Sequence, residues 1–178
     1  MGAGSGHLTL ACAYQARAEG VLVNEHPDPD AYIDEVILGT LKRTLGVPNK
    51  SHLFVVAEQT PHRHHPEGGV RGLVEYVANT LSTWPQFQPH PVEYRLAPAT
   101  KATILGHTLR GAPPTPEDKT IGQDLAYEAI RRLVKDPERV VGCMLAYRGP
   151  GTIDTIPLHA VAPKPFDWEI FARMHGSE

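Results

Sequence analysis

The segment Lys101-Ala-Thr-Ile-Leu-Gly-His-Thr-Leu-Arg-Gly-Ala-Pro-Pro-Thr-Pro-Glu-Asp-Lys119 says more about architecture than any other part of the chain. Thr103, Ile104 and Leu105 read as an apolar strand that ends at Gly106. His107 and Arg110 follow on a loop, and a capped helix starts at about Thr115, with proline at its first position. Open α/β sheets bind ligands at the carboxyl ends of their strands. A strand followed by paired cationic side chains therefore predicts an anion-binding edge. His107 and Arg110 lie three apart on one short loop and are able to face one ligand. Arginine adds a planar fork of donors suited to phosphate oxygens. Taken singly, His107, Arg110 and Lys101 also suit solvated surface positions.

Helix and strand signals alternate on either side of this segment. His7 to Ala18 reads as a helix with Gly20 as its stop, and Val21 to Val23 as a short buried strand. Asp28-Pro29-Asp30 offers a cap and an acidic first turn. Ile33, Val36, Ile37, Leu41 and Leu45 then recur at helical spacing until Gly46 and Pro48. His52 to Ala57 is a continuous apolar run, read as a strand buried on both faces, with Glu58 at its carboxyl end. A polar loop runs from Gln59 to Gly69. Val70, Leu73, Val74, Val77, Ala78 and Leu81 make an amphipathic helix, and the alternation of Val92, Tyr94 and Leu96 suggests a half-exposed strand.

In the helix after Thr115, the spacing gives Ile121, Leu125, Ala129, Leu133 and Val134 as the buried stripe, stopped by Asp136-Pro137. Val140 to Tyr147 and Thr152 to Ile156 flank Gly149-Pro150-Gly151 as a hairpin, and Phe166 to Met174 reads as a terminal helix that caps the fold. The pattern predicts an α/β fold with a mostly parallel sheet and helices on both faces.

The 178 residues suit one domain or two small lobes. With 41% hydrophobic and 21% charged residues, the composition is that of an ordinary globular protein. No apolar run approaches the roughly 18 residues that cross a bilayer, and no secretory leader pattern is present, so no membrane partner and a cytoplasmic location are expected. A net charge of −3 argues against nucleic acid, which calls for a broad basic surface. Cys12 and Cys143 lack zinc or disulfide spacing and read as reduced, buried small residues. His62, Arg63, His64 and His65 invite a metal reading, but adjacent histidines beside proline suit an exposed loop better, and no metal site is expected. Asp118 and Asp124 read as helix-start and helix-surface charges.

Two motifs carry a family resemblance. Leu105-Gly106-His107-x-x-Arg110-Gly111 resembles the Leu-Gly-His-x-x-Arg-Gly-Gly-x-Pro-x-x-x-Asp-Arg segment of the phosphofructokinase family, with Ala112 in place of the second glycine and Lys119 in place of the final arginine. Met1-Gly2-Ala3-Gly4-Ser5-Gly6-His7-Leu8-Thr9-Leu10-Ala11, continuing to Glu25, resembles that family's Met-Gly-Arg-x-x-Gly-x-Leu-Ala-Leu helix and the strand that follows it, without a gap. The resemblance covers nearly the whole chain, which it identifies as a partial phosphofructokinase-like domain over residues 1–178 corresponding to the sugar-phosphate portion. The family's glycine-rich nucleotide loops and catalytic-aspartate segment have no counterpart here, so no catalytic residue is assigned.

By resemblance, Met1, Gly2, Glu58, Lys101, His107 and Arg110 bind the sugar phosphate. Glu58 would accept a hydrogen bond from a sugar hydroxyl, as an ionised carboxylate is acceptor-only. Lys101 stands where the family has an arginine that reaches into a neighbouring subunit, which implies a homo-oligomer or a complementing chain. Glu19 matches an effector-site carboxylate of bacterial members and equally suits a surface position at a helix end. Ala3 departs from the family's arginine, a loss that weakens phosphoryl-transfer chemistry.

The implied function is the sugar-phosphate half of a 6-phosphofructokinase of glycolysis. It would convert fructose 6-phosphate to fructose 1,6-bisphosphate with magnesium and ATP, or pyrophosphate, bound mainly by a portion this chain lacks. The chain alone is then expected to be inactive. The alternative is a non-catalytic regulatory module that binds a phosphosugar effector, like the second half of eukaryotic phosphofructokinases. Such halves also replace the arginine after Met-Gly, and they end in a segment resembling Phe166-Asp167-Trp168-Glu169.

Overall fold

The computed structural model describes residues 4–44, 47, 50–64, 70–84, 101, 103–106, 108 and 111–176. The chain divides into two compact units. Residues Met1–Leu109 with Phe166–Glu178 form the first, and Arg110–Pro165 the second.

In the first unit, α1 (His7–Ala16) leads into β1 (Gly20–Leu22). The helix stops earlier than Gly20. Arg17 takes the left-handed conformation at φ 52°, and its N–H returns to the carbonyls of Ala13 and Tyr14. Gly20 is instead the first strand residue, and glycine is needed there because a Cβ would stand 2.8 Å from the Tyr32 hydroxyl and 3.0 Å from the Phe54 ring.

The next helix begins at Asp28, whose carboxylate accepts the Ala31 N–H at 2.9 Å. It runs as α2 (Pro29–Tyr32), a π-helical segment (Ile33–Leu38) and α3 (Gly39–Thr44). Leu45, Gly46 and Pro48, its expected end, lie outside the described residues. β2 (Phe54–Val56) then pairs in parallel with β1 in the register Gly20–Phe54, Val21–Val55, Leu22–Val56. α4 (Val70–Thr83) follows, buried along Leu73, Val77 and Leu81 as its spacing predicts.

Helices cover both faces of this small sheet. Leu22 packs with Tyr32, Ile33, Ile37, Leu38 and the α4 stripe. Val21 and Val23 pack with Leu10 and Ala13 of α1, with Phe166, Ile170 and Met174 of the terminal segment against them. Fully buried Leu22, Ile33, Val21 and Val23 each contribute about 1.5–3 kcal/mol. β1 is thus buried on both faces. β2 is only half-buried and Leu53 is exposed, contrary to the doubly buried strand expected at 52–57, because β2 has β1 on one side only among the described residues.

The second unit holds α5 (Pro116–Lys135) and an antiparallel hairpin of β3 (Cys143–Gly149) and β4 (Thr152–Pro157). A capping box starts α5: the Thr115 hydroxyl accepts the Asp118 N–H at 3.1 Å, and Asp118 accepts the Thr115 N–H at 2.9 Å. Asp136 closes it, as expected. The helix face differs from the predicted one. Ile121, Leu125, Glu128 and Arg132 are half-buried, whereas Leu133 and Val134 are exposed. Arg132 sets this rotation, since its guanidinium donates to Thr155 Oγ1 and to the Ile153 carbonyl, both at 2.6 Å, while Glu128 holds its Nε.

The terminal helix α6 (Trp168–Met174) is capped by Asp167, which accepts the Ile170 N–H at 3.0 Å. Among the described residues the sheets are the parallel β1–β2 pair and the β3–β4 hairpin, so the fold is mixed α/β without the large parallel sheet expected. Thr103, Ile104 and Leu105, read as a buried strand, are exposed and form no strand. The expected strand at 92–96 lies outside the described residues. Cys12 and Cys143 are free thiols and half-buried rather than buried.

Candidate functional site at the carboxyl edge of the parallel strands

Because β1 and β2 run in parallel, their carboxyl ends share one edge. Glu58 stands there, exposed, directly beyond β2 and Ala57. The amino end of α1 comes to the same edge. The Gly6 N–H donates to both oxygens of the Glu25 carboxylate, at 2.9 Å each, in the loop beyond β1. Only glycine fits at position 6, as a Cβ would lie 2.5 Å from both Glu25 and Val23.

The loop that carries Glu58 is tied down along its length. The Ala57 N–H continues the sheet ladder to the Leu22 carbonyl at 2.8 Å. Thr60 is fully buried, and its hydroxyl donates to the Asn24 side-chain oxygen at 2.7 Å. The Arg63 N–H donates to Asp30 at 2.9 Å, and its guanidinium to Asp34 at 2.5 Å. Asp34 lies in the π-helical segment and also accepts the Tyr76 hydroxyl at 3.0 Å. π-helical turns often occur at functional positions, and this one aims a carboxylate at the loop.

His62 is buried, contrary to the exposed loop expected. His64 stacks on Tyr76 with ring centroids 3.6 Å apart. Burial, reinforced by the nearby Arg63 charge, lowers the His64 pKa below the ordinary histidine value. His65 lies outside the described residues. Among the described residues no group of three or more His, Cys, Asp or Glu has the geometry of a metal site.

Of the residues assigned to the sugar phosphate, Glu58 is at this edge and Lys101 is exposed. Met1, Gly2, His107 and Arg110 lie outside the described residues, so no geometry joins them to Glu58. Glu19 is at the opposite, amino edge. Its carboxylate accepts the Leu53 N–H at 2.8 Å and lies 3.4 Å from His52 Nδ1, so it is occupied in joining the starts of β1 and β2.

Sequence reasoning missed Asn24, Thr60, Asp30, Asp34 and Tyr76. The carboxylates at 30 and 34, one helical turn apart beyond the Asp28 cap, were the available signal, since that spacing puts both on one helix face. In the second unit an open groove of about 390 Å³ runs between α5 and the hairpin. Its arginines are already committed, Arg131 to Glu128 and Arg132 to Glu128 and the hairpin.

The phosphofructokinase family model matches residues 1–133. Among curated proteins, the chain is 24% identical over 149 residues to the ATP-dependent 6-phosphofructokinase, muscle type, of Oryctolagus cuniculus, and 25% identical to that of Sus scrofa. It is 23% identical to the liver type of Pongo abelii. Each match covers 84% of this chain and 17% of the relative, so the chain spans about a sixth of the length of the proteins it resembles. No solved structure matches. With three quarters of its residues inside the family model, the chain belongs to the phosphofructokinase family.

Proposed function

We propose that this chain is the sugar-phosphate-binding portion of a 6-phosphofructokinase. The observation that carries the reading is the place of Glu58. It is an exposed carboxylate directly beyond a parallel strand, at the edge where the amino end of α1 also arrives. Glu58 would accept a sugar hydroxyl, while His107 and Arg110 would hold the phosphate, with Lys101 in support from a neighbouring copy. The names of the relatives favour ATP over pyrophosphate as phosphoryl donor. The sequence has no glycine-rich phosphate loop, so magnesium and the nucleotide would be held mainly by another portion of the enzyme. This chain's own contribution is therefore to bind and orient the phosphosugar, and a homo-oligomer or complementing chain would supply the rest in a cytoplasmic enzyme.

Calorimetry with fructose 6-phosphate and with fructose 1,6-bisphosphate tests the reading. Saturable binding without turnover by the isolated chain is the expected result, and absence of binding to the folded chain would overturn it.

A second reading rests on Ala3 and on the Asp167-capped helix that begins within Phe166-Asp167-Trp168-Glu169. By resemblance, the effector-binding second halves of eukaryotic phosphofructokinases commonly replace the arginine after Met-Gly and end in a sequence similar to Phe166-Asp167-Trp168-Glu169. Under it the same edge binds a phosphosugar as a regulatory signal. Preference for the bisphosphate over fructose 6-phosphate in the same titrations would favour that role.

A further inference from the structure

We infer that Thr60 is a positioning residue for Glu58, acting through its bond to Asn24. The inference rests on the sugar-phosphate role assigned to Glu58 above. A fully buried hydroxyl two residues from an exposed functional carboxylate needs a structural reason, because burying a polar group is favourable only when it is hydrogen-bonded. The reason is the side-chain bond from Thr60 to Asn24 Oδ1 at 2.7 Å, which joins the loop after β2 to the loop after β1.

Two backbone bonds complete the fixture. The Thr60 N–H returns to the Ala57 carbonyl at 3.3 Å, and the Ala57 N–H reaches Leu22 at 2.8 Å. Together they close a tight turn over Ala57-Glu58-Gln59-Thr60, so the direction of the Glu58 backbone is set from both sides. Further along, Asp30 and Asp34 hold Arg63 and keep the loop from swinging about Thr60. Ligand orientation depends on placement within about half an ångström, which the supporting residues must supply. Loss of the Thr60 hydroxyl therefore weakens sugar-phosphate binding through Glu58 rather than through the fold at large.

The test uses the full chain with Thr60→Val, Thr60→Ser and Asn24→Ala, the last serving if Thr60→Val does not fold. Amide hydrogen exchange over residues 57–63 should accelerate about tenfold or more in Thr60→Val and Asn24→Ala, and stay within about twofold of wild type in Thr60→Ser, with α5 amides unchanged. Fructose 6-phosphate affinity should fall roughly five- to tenfold in the same two variants, recover in Thr60→Ser, and change less than about twofold when Glu58→Ala is already present. Unchanged exchange at 57–63 overturns the inference. Equal loss of affinity with and without the Glu58 carboxylate overturns it as well, since the hydroxyl would then serve only the fold. If wild type binds no phosphosugar while exchange responds as stated, the sugar-phosphate reading fails and the anchoring of the Glu58 turn by Thr60 stands.

Discussion

The Tyr32 hydroxyl lies 2.5 Å from Nε2 of His175 and fastens the terminal helix to α2. His175 Nδ1 donates to the Phe171 carbonyl at 2.7 Å, so Nε2 is the acceptor and the tyrosine the donor. The same tyrosine oxygen accepts the Val21 N–H at 2.8 Å, tying helix, strand and carboxyl terminus at one buried atom. Tyr32→Phe leaves the Val21 N–H and the His175 nitrogen without this partner, and should destabilise the chain by about 1–3 kcal/mol in a urea titration. An unchanged midpoint would refute the network.

The same burial gives a pH prediction. It pushes the Tyr32 pKa up from 10.0 to about 12. An unfolded tyrosine loses its proton near 10, so the stability this group contributes is whole below pH 10 and is lost as pH rises towards 12. On the acid side, burial depresses His26, which packs against Tyr32 with ring centroids 5.0 Å apart, and also His64. The unfolded chain takes up these protons near pH 6.5 and the folded chain only below it, so stability should fall as pH drops beneath 6.5. Denaturant titrations across this range in wild type and His26→Asn should show a shallower acid-side loss in the variant.

Gly6→Ala should destabilise the first unit by about 1–3 kcal/mol, as the new Cβ meets the Cβ of the fully buried Val23 at 2.5 Å and displaces the Glu25 carboxylate. Thermal unfolding followed by circular dichroism measures it, and an unshifted midpoint would mean that the close approach of α1 to the strand end is wrong.

Thr115→Ala removes the capping box of α5 and should cost about 0.5–2 kcal/mol. The bonds from Thr115 hold the Asp118 carboxyl below the usual aspartate range, so its carbon-13 titration should move towards the ordinary value in the variant. A wild-type titration already at that value would show the box to be absent in solution.

The binding reading makes its own demand on the loop outside the described residues. Arg110→Ala should weaken fructose 6-phosphate binding by about 2–3 kcal/mol, the scale of a charge-assisted hydrogen bond. Lys101→Arg should leave binding equal or tighter, since it restores a planar fork of donors. Equal calorimetric affinity for wild type and Arg110→Ala would sink the assignment.

Local patterns in the sequence determined that helices start near His7, Asp28, Val70 and Thr115, together with the caps at Asp28 and Thr115, the β3–β4 hairpin and the position of Glu58 after β2. Those features depend on residues within a few positions of one another, which is why periodicity and capping chemistry reveal them. The family, too, was legible, because its motifs are short and contiguous. Tertiary structure alone decided the rest. Position 6 needs glycine only because Glu25 and Val23 come to meet it, and α5 turns its Arg132 face inward only because the hairpin offers Thr155 and Ile153. Thr60 sits in a stretch that reads as an ordinary polar loop until Asn24 arrives beside it, and no local pattern singles out His175 as the partner of Tyr32. Each of these is a contact between residues distant in sequence, and whether such a polar group is buried with a partner or left in water depends on a fold that no local pattern specifies.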